Sequence, residues 1–198
     1  TSMGRWEKST LDGRVTVVFK SSPNPGPDNT SMLTALEIDV EGRETRSVID
    51  SAWDCNPVGV STAADGAPVV VYSRPDPAGG REVRLAVRRN GAWSGRALFS
   101  RDRPYLGADS LIRDPRGGFG FVLSEERTQQ VHFARGDEKS PWRLEVVRRA
   151  REPRLGSPRR PSKLSALAMF DSRGRPVVLV LDETTDHDVE LWVYRRSE

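Results

Sequence analysis

The sequence is poor in cysteine and has no long hydrophobic run. Its single cysteine, Cys55, cannot form a disulfide within the chain, which excludes a small scaffold held by disulfides and a zinc site built from cysteines. The apolar runs are five or six residues long at most, whereas a membrane-spanning helix needs about 18. No signal-type apolar segment follows Met3. We therefore expect a cytoplasmic protein without a membrane partner.

Lysine and histidine are also scarce. The 198 residues include 31 basic side chains, but only four of them are lysines, and there are two histidines. The excess of arginine fits the codon use of a GC-rich genome, although the planar guanidinium also suits recognition of carboxylate and phosphate groups. The length is typical of one ordinary domain or one repeat array with a sizeable core.

The sequence contains short apolar runs rich in β-branched residues and shows little helical periodicity. Gly, Pro, Asp and Ser separate these runs, which is typical of strands buried on both faces. The best helical candidate, residues 163–170, fits a strand equally well. The sequence therefore predicts an all-β fold. The four clearest runs are Val15–Phe19, Val69–Tyr72, Phe119–Leu123 and Val177–Leu181.

Each of these runs follows a turn that contains Asp and Gly. Aspartate hydrogen-bonds to its own backbone and glycine supplies positive φ, so the turns are predicted to form hairpins. The glycines of the four turns are 53, 51 and 57 residues apart, which indicates an internal repeat. The turns are Asp12-Gly13, Asp65-Gly66, Asp114 to Gly117 and Asp171 to Gly174.

The second half of each cycle repeats as well. An alternating strand follows the apolar run, and in two cycles a fourth strand begins at tryptophan, Trp93 or Trp142. One motif is Asp-x-x-Gly-x-Pro before the apolar run, as in Asp171 to Pro176. Another is Gly-x-Trp in the later half of a cycle, as in Gly91 to Trp93. Together the motifs resemble the repeats of bacterial sialidase-like, Asp-box-related β-propellers. The resemblance implies four-stranded antiparallel blades in a single propeller domain, 1–198, of about four blades. The predicted blades are 5–50, 51–101, 102–150 and 160–198.

One blade is expected to be incomplete. The third strand of the last cycle ends at Arg195, and the cycle itself ends three residues later. The segment around Trp6 either supplies the missing outer strand or forms the innermost strand of the first blade. The alternatives are a closed four-bladed ring with one irregular blade, and a fragment or lobe of a larger propeller.

Catalytic motifs of sialidases are not found. Such enzymes need an arginine cluster, a tyrosine nucleophile and an acid, but the chain has only three tyrosines, two of them at ordinary packing positions (Tyr72 and Tyr194). Other glycosidases need two facing carboxylates, and neither Glu125-Glu126 nor Asp182-Glu183 stands out from solvated loop acids. We expect no enzymatic activity.

Metal and cofactor sites are not expected either. The loop 182–188 gathers four acids and a histidine, which is compatible with weak calcium binding by Asp182, Asp186 and Asp188. It lacks the glycine and the closing glutamate of an EF-hand, so a solvated loop is the simpler interpretation.

The most basic segment is the long connection 148–163, which is also rich in proline. A flexible linker or a docking site for an acidic protein both fit its composition. Nucleic acid is not the expected partner because interleaved aromatic residues are missing. The candidate binding arginines are Arg148, Arg149, Arg151, Arg154, Arg159 and Arg160.

Trp93 and Trp142 occupy equivalent positions in successive cycles, where an indole can pack between blades or form a shelf for a sugar ring. The function predicted from the whole sequence is a non-catalytic recognition module that binds a protein, or another part of a longer polypeptide, through loop tips on one face. The alternative is a lectin-like propeller. A glycoside hydrolase of sialidase-like fold is the least favoured class.

Overall fold

The computed structural model describes residues 6–21, 30–101, 104–105, 111–125, 130–149, 163–183 and 189–195. These residues form sixteen β-strands and no helix, which confirms the all-β prediction. None of them belongs to a helix that could cross a membrane. The contacts divide the chain into two compact units, 1–102 and 103–198. The prediction that the chain is one domain stays a prediction.

The first unit contains two four-stranded antiparallel sheets, each with its strands in chain order. The first sheet comprises β1 (Trp6–Leu11), β2 (Arg14–Ser21), β3 (Thr30–Ile38) and β4 (Glu44–Trp53). The second sheet comprises β5 (Asn56–Thr62), β6 (Pro68–Pro75), β7 (Arg81–Arg89) and β8 (Ala92–Arg101).

The second unit contains the third and fourth sheets, which are also antiparallel. The third sheet comprises β9 (Pro104–Tyr105), β10 (Ile112–Arg113), β11 (Phe119–Glu125), β12 (Gln130–Gly136) and β13 (Arg143–Arg149). The fourth comprises β14 (Lys163–Phe170), β15 (Pro176–Glu183) and β16 (Val189–Arg195). Segment 163–170 is therefore a strand, and one sheet corresponds to each cycle of the repeat.

The Asp-Gly turns join the first and second strands of the sheets, as their composition predicts. Asp12 and Gly13 have φ of 49° and 76°, which is the geometry of a two-residue hairpin turn. In the turn after β14, the Asp171 amide donates to the Arg175 carbonyl, and the Asp171 carboxylate accepts from the Arg173 amide. In the pairing order of each sheet the apolar runs are consequently the second strands: β2, β6, β11 and β15. In the third sheet that order is β10-β11-β12-β13, and β9 pairs with β11 outside it.

Sheet-on-sheet packing builds one core in each unit. In the first unit Val18, Leu33 and Ala35 of the first sheet pack with Val70 and Ala86 of the second. In the second unit Val122 and Phe133 of the third sheet pack with Ala168, Val178 and Val180 of the fourth. Since side chains alternate along a strand, each strand contributes every second residue to these cores.

The described pairing decides the role of the N-terminal segment. Strand β1 pairs with β2 along its whole length, from Trp6 opposite Phe19 to Leu11 opposite Arg14. It is therefore the first strand of the first sheet, at the edge beside β2. The fourth sheet has three strands among the described residues, which matches the expectation of one incomplete blade.

Candidate functional site

The interface between the first and second sheets changes character along the strands. On β2 the alternating residues Arg14, Thr16, Val18 and Lys20 share one face. Val18 lies in the apolar core. Arg14 and Thr16 line a groove at the turn end of the strand, whereas Lys20 lies in a polar network at the other end. The interface thus has a groove, an apolar middle and a charged end.

The groove has a volume of about 470 Å³ and lies where the β1–β2, β3–β4 and β5–β6 turns of the first unit meet. Hairpin turns expose polar side chains at strand ends, which explains why carboxylates and hydroxyls collect there. Its polar lining includes Asp12, Glu37, Asp39, Thr45, Thr62 and Asp65.

Arginines form ion pairs with three of the groove carboxylates, Glu37, Asp39 and Asp65. Arg88 of the second sheet forms an ion pair with Glu37 of the first. The backbone amide of Arg43, together with its guanidinium 2.6 Å away, lowers the pKa of Asp39. The Asp39 carboxylate is therefore an ionised hydrogen-bond acceptor at neutral pH.

Asp65, on the second-sheet side of the groove, follows the same pattern. The Arg89 guanidinium, 2.8 Å away, is the main cause of the lowered pKa of Asp65, and the Ala67 amide adds to it. Asp12 and Arg14 differ, because neither side chain forms an ion pair with another described residue. They are the charges of the groove that remain available to a ligand.

The charged end of the interface is a network around Tyr72 and Asp50. The buried Tyr72 hydroxyl donates to an Asp50 carboxylate oxygen at 2.7 Å and accepts from Arg84 Nε at 3.1 Å. Arg74 bridges the Asp50 and Glu82 carboxylates. Burial, followed by the neighbouring Asp50 carboxylate, raises the pKa of the Tyr72 hydroxyl, so this tyrosine is not a nucleophile at neutral pH.

A second group of charges continues this network. Asp54 binds Lys20 at 2.9 Å and Arg81 at 2.6 Å. Burial opposes its ionisation, but the hydrogen bonds from Lys20, Arg81 and Asn56 outweigh burial and lower the pKa of Asp54. Burial raises the pKa of the adjacent Cys55 thiol to about 11, so the thiol stays protonated and unreactive.

The sequence pattern alone predicts an ordinary packing position for Tyr72, and the network is a finding of the structure. A signal was nevertheless present. Tyr72 and Arg74 are two residues apart on β6 and so share a face, as do Glu82 and Arg84 on β7. The strand pairing places Tyr72 opposite Arg84 and Arg74 opposite Glu82. Charges two residues apart on adjacent strands indicate a polar face that needs a charged partner.

The structure places the two predicted tryptophans in different units. Trp93 packs against the core of the first unit and donates from Nε1 to Ser47 Oγ at 2.9 Å. Trp142 lies 5.2 Å from Phe121, measured between ring centroids, and donates from Nε1 to the Asp137 carbonyl. Both indoles thus contact the protein through the ring and the N–H, and their role in ligand binding stays a prediction.

The basic connection is described only at its start. The Arg148 guanidinium stacks 3.8 Å from the Trp192 ring centroid, a cation–π contact between β13 and β16. The backbone of Arg149 pairs with Gln130. Residues Arg151, Arg154, Arg159 and Arg160 lie outside the described residues, so binding by this segment stays a prediction.

The acidic candidates lie partly outside the described chain. Asp182 is on β15, opposite Leu164 and Glu190 in the register, and Asp186 and Asp188 fall beyond the described residues. Among the described residues no group of three or more His, Cys, Asp or Glu side chains could hold a metal ion. Glu125 ends β11 of the third sheet and Glu183 ends β15 of the fourth, and no strand pairing joins these two residues. Glu126 lies outside the described residues.

Comparison with known proteins shows similarity of structure without similarity of sequence. No protein family and no curated protein match the sequence. The solved structures that are similar include a xylan β-1,4-xylosidase from Bacillus halodurans C-125, with a TM-score of 0.57 and 12% identity. They also include a protein of unknown function from Dyadobacter fermentans DSM 18053, with a TM-score of 0.61 and 14% identity, and a thermostable family-43 glycoside hydrolase, with a TM-score of 0.53 and 10% identity.

The alignments cover nearly all of this chain but only part of these proteins. They include 98%, 99% and 96% of the chain, which spans 41%, 66% and 68% of the respective structures. At this level of identity the likeness concerns the fold alone. The chain is an all-β protein of the propeller type, built from four successive antiparallel sheets.

Proposed function

We propose that the chain is a non-catalytic recognition module and that the groove of the first unit binds a carbohydrate. The observation that carries the proposal is the convergence of threonine hydroxyls, carboxylates and the Arg14 guanidinium, which forms no ion pair with another described residue, around one cavity of about 470 Å³. A cavity of that size is in the range of small-ligand sites.

The chemistry of the groove suits a ligand with many hydroxyl groups. Glu37, Asp39 and Asp65 accept hydrogen bonds, Arg14 donates them, and the hydroxyls of Thr45 and Thr62 do both. Ionised partners make these bonds stronger than bonds between neutral groups. The similar structures of a xylosidase and a glycoside hydrolase make carbohydrate the first ligand class to test.

The electrostatics of two groove carboxylates, Asp39 and Asp65, support binding without cleavage. Glycoside hydrolysis needs one carboxyl group that carries a proton near neutral pH, which requires a raised pKa. Hydrogen bonds and arginines instead lower the pKa of Asp39 and Asp65. Both carboxyls are therefore ionised at neutral pH and cannot protonate a leaving group.

The direct test is a glycan array followed by titration calorimetry with the best ligand. Arg14→Gln and Asp12→Asn remove the two free charges, and asparagine is well tolerated at positive φ, so the turn is kept. We expect each change to weaken binding by about tenfold, because each removes a charge-assisted hydrogen bond.

Arg46→Gln is the matched control, since Arg46 lies on β4 of the same sheet, is well exposed and does not line the groove. It should bind as the parent does. Absence of binding to every glycan, or equal affinity of parent and Arg14→Gln, contradicts the proposal. Release of reducing ends from the bound glycan contradicts its non-catalytic part.

A further inference from the structure

Three of the four carboxylates that line the groove of the first unit each have an arginine partner. The pairs are Glu37 with Arg88, Asp39 with Arg43, and Asp65 with Arg89. Arg43 also binds Glu41, whose side chain is 60% exposed and does not line the groove. A paired carboxylate still accepts hydrogen bonds from hydroxyl groups, because its two oxygens offer several lone pairs. It attracts a second cation much less, because the guanidinium offsets its charge.

The ion pair between Glu37 and Arg88 joins the two sheets. Glu37 lies on β3 of the first sheet, whereas Arg88 lies on β7 of the second sheet and does not itself line the groove. The two side chains are only 23% and 17% exposed. Water and salt screen such a pair less than they screen a surface pair. Arg88 therefore offsets the charge of Glu37 more strongly than the 75%-exposed Arg43 offsets that of Asp39.

The fourth carboxylate, Asp12, has a charge of opposite sign beside it. Asp12 lies in the β1–β2 turn, Arg14 begins β2, and both exposed side chains line the groove. An ammonium group that approaches Asp12 is repelled by Arg14, and a carboxylate that approaches Arg14 is repelled by Asp12. A hydroxyl group can donate to Asp12 and accept from Arg14 without either penalty.

We propose that the groove selects uncharged glycans over amino sugars and uronic acids, and that Arg88 is the residue that keeps amino sugars out. This inference rests on the proposed function of the groove. A ligand charge that leaves water needs a partner of opposite sign. The described lining offers an ammonium group only carboxylates that arginines already bind, together with Asp12 beside Arg14.

A glycan array at about pH 6 and low salt tests the selectivity of the parent protein, because amines are then protonated and uronic acids ionised. The array carries neutral oligosaccharides of glucose, galactose, mannose and xylose. Chitosan oligosaccharides represent the amino sugars, and oligomannuronates represent the uronic acids. We expect the strongest neutral glycan to bind at least about tenfold more tightly than any charged one.

Arg88→Gln tests the role of Arg88. It leaves Glu37 without its cationic partner, so the affinity for chitosan oligosaccharides relative to the strongest neutral glycan should rise by about tenfold. A purely structural role of Arg88 would weaken all glycans alike and leave this ratio unchanged. Arg46→Gln is the matched control, since it removes the same charge from the first unit outside the groove and should leave the ratio at the parent's value.

Glu37→Gln provides the opposite change of charge, because Arg88 then remains without its carboxylate. The affinity for oligomannuronates relative to the strongest neutral glycan should rise, whereas that for chitosan oligosaccharides should not. This variant decides the role of the pair if Arg88→Gln does not keep the parent's circular dichroism and melting curve.

The failure of this inference and the failure of the proposed function are distinguishable. Absence of binding to every glycan contradicts the proposed function itself. A charged glycan that binds as tightly as the strongest neutral one overturns the selectivity alone. Ratios that stay at the parent's value in Arg88→Gln, or in Glu37→Gln where that variant decides, overturn the role of Arg88.

Discussion

The second and fourth sheets carry similar sequences in different surroundings. Strand β6 begins Pro68-Val69-Val70-Val71, and β15 begins Pro176-Val177-Val178-Leu179. In the second sheet both faces are buried, including Val83 and Leu85 of the third strand. In the fourth sheet the corresponding third-strand residues, Leu191 and Val193, are mostly exposed. An apolar run therefore predicts a strand but does not tell how many of its faces are covered.

The largest expected effect compares two leucines of the third strands. Leu85→Ala removes a buried side chain and should lower the free energy of unfolding by about 2–5 kcal/mol, because a cavity is left in the core. Leu191→Ala removes a mostly exposed side chain and should cost less than about 1 kcal/mol. Urea denaturation at low micromolar concentration measures both. Equal losses would show that the two faces are equally covered.

A smaller effect concerns the covered side of the fourth sheet. A Cβ added at Gly120 would lie 2.6 Å from a ring carbon of Phe133 and 3.1 Å from one of Phe170. Gly120→Ala should therefore destabilise the chain by about 1–3 kcal/mol through overpacking.

Gly95→Ala in the second sheet is the control for this substitution, since its Cβ would lie 3.5 Å from the Tyr72 hydroxyl, an ordinary contact. It should change stability by less than about 1 kcal/mol. If Gly120→Ala proves as mild as Gly95→Ala in thermal melts, the third and fourth sheets do not pack as tightly as described.

The smallest effect is the dependence of stability on pH. The pKa of Asp54 is lowered in the fold, so its contribution is present above the ordinary aspartate value of about 4 and is lost as pH falls through the lowered value. Asp54→Asn should reduce the loss of unfolding free energy at acid pH by less than about 1 kcal/mol, because the Asp54 carboxylate is partly exposed.

Asp171 provides the comparison in the fourth sheet. Its pKa is lowered mainly by the Arg175 backbone amide, and asparagine can accept the same turn hydrogen bonds. Asp171→Asn should therefore keep the turn, and it removes the acid-side contribution of Asp171 as Asp54→Asn removes that of Asp54. Stability curves from denaturant titrations between about pH 2 and 7 separate the two. A larger effect at Asp171 would locate the acid-sensitive contacts in the turns and not between the sheets.

Most of the fold was predictable, and the candidate site was not. The Asp-Gly turns, the apolar second strands and the four cycles are local patterns, and each appears where the spacing from Gly13 to Gly174 predicts it. The groove and the Tyr72 network join residues that are distant along the chain. Asp50 and Tyr72 belong to different sheets, as do Glu37 and Arg88, and nothing in their local sequence specifies that pairing.

The sequence itself determined which residues share a face of each strand, because successive side chains of an extended chain point to opposite faces. The all-β class, the hairpin turns and the order of strands within each sheet follow from it and from the turn residues. Only the tertiary structure decided which faces are covered. It placed Val83 and Leu85 in a core and left Leu191 and Val193 at the surface. Burial depends on the sheet that packs against a strand, and that sheet lies elsewhere in the chain.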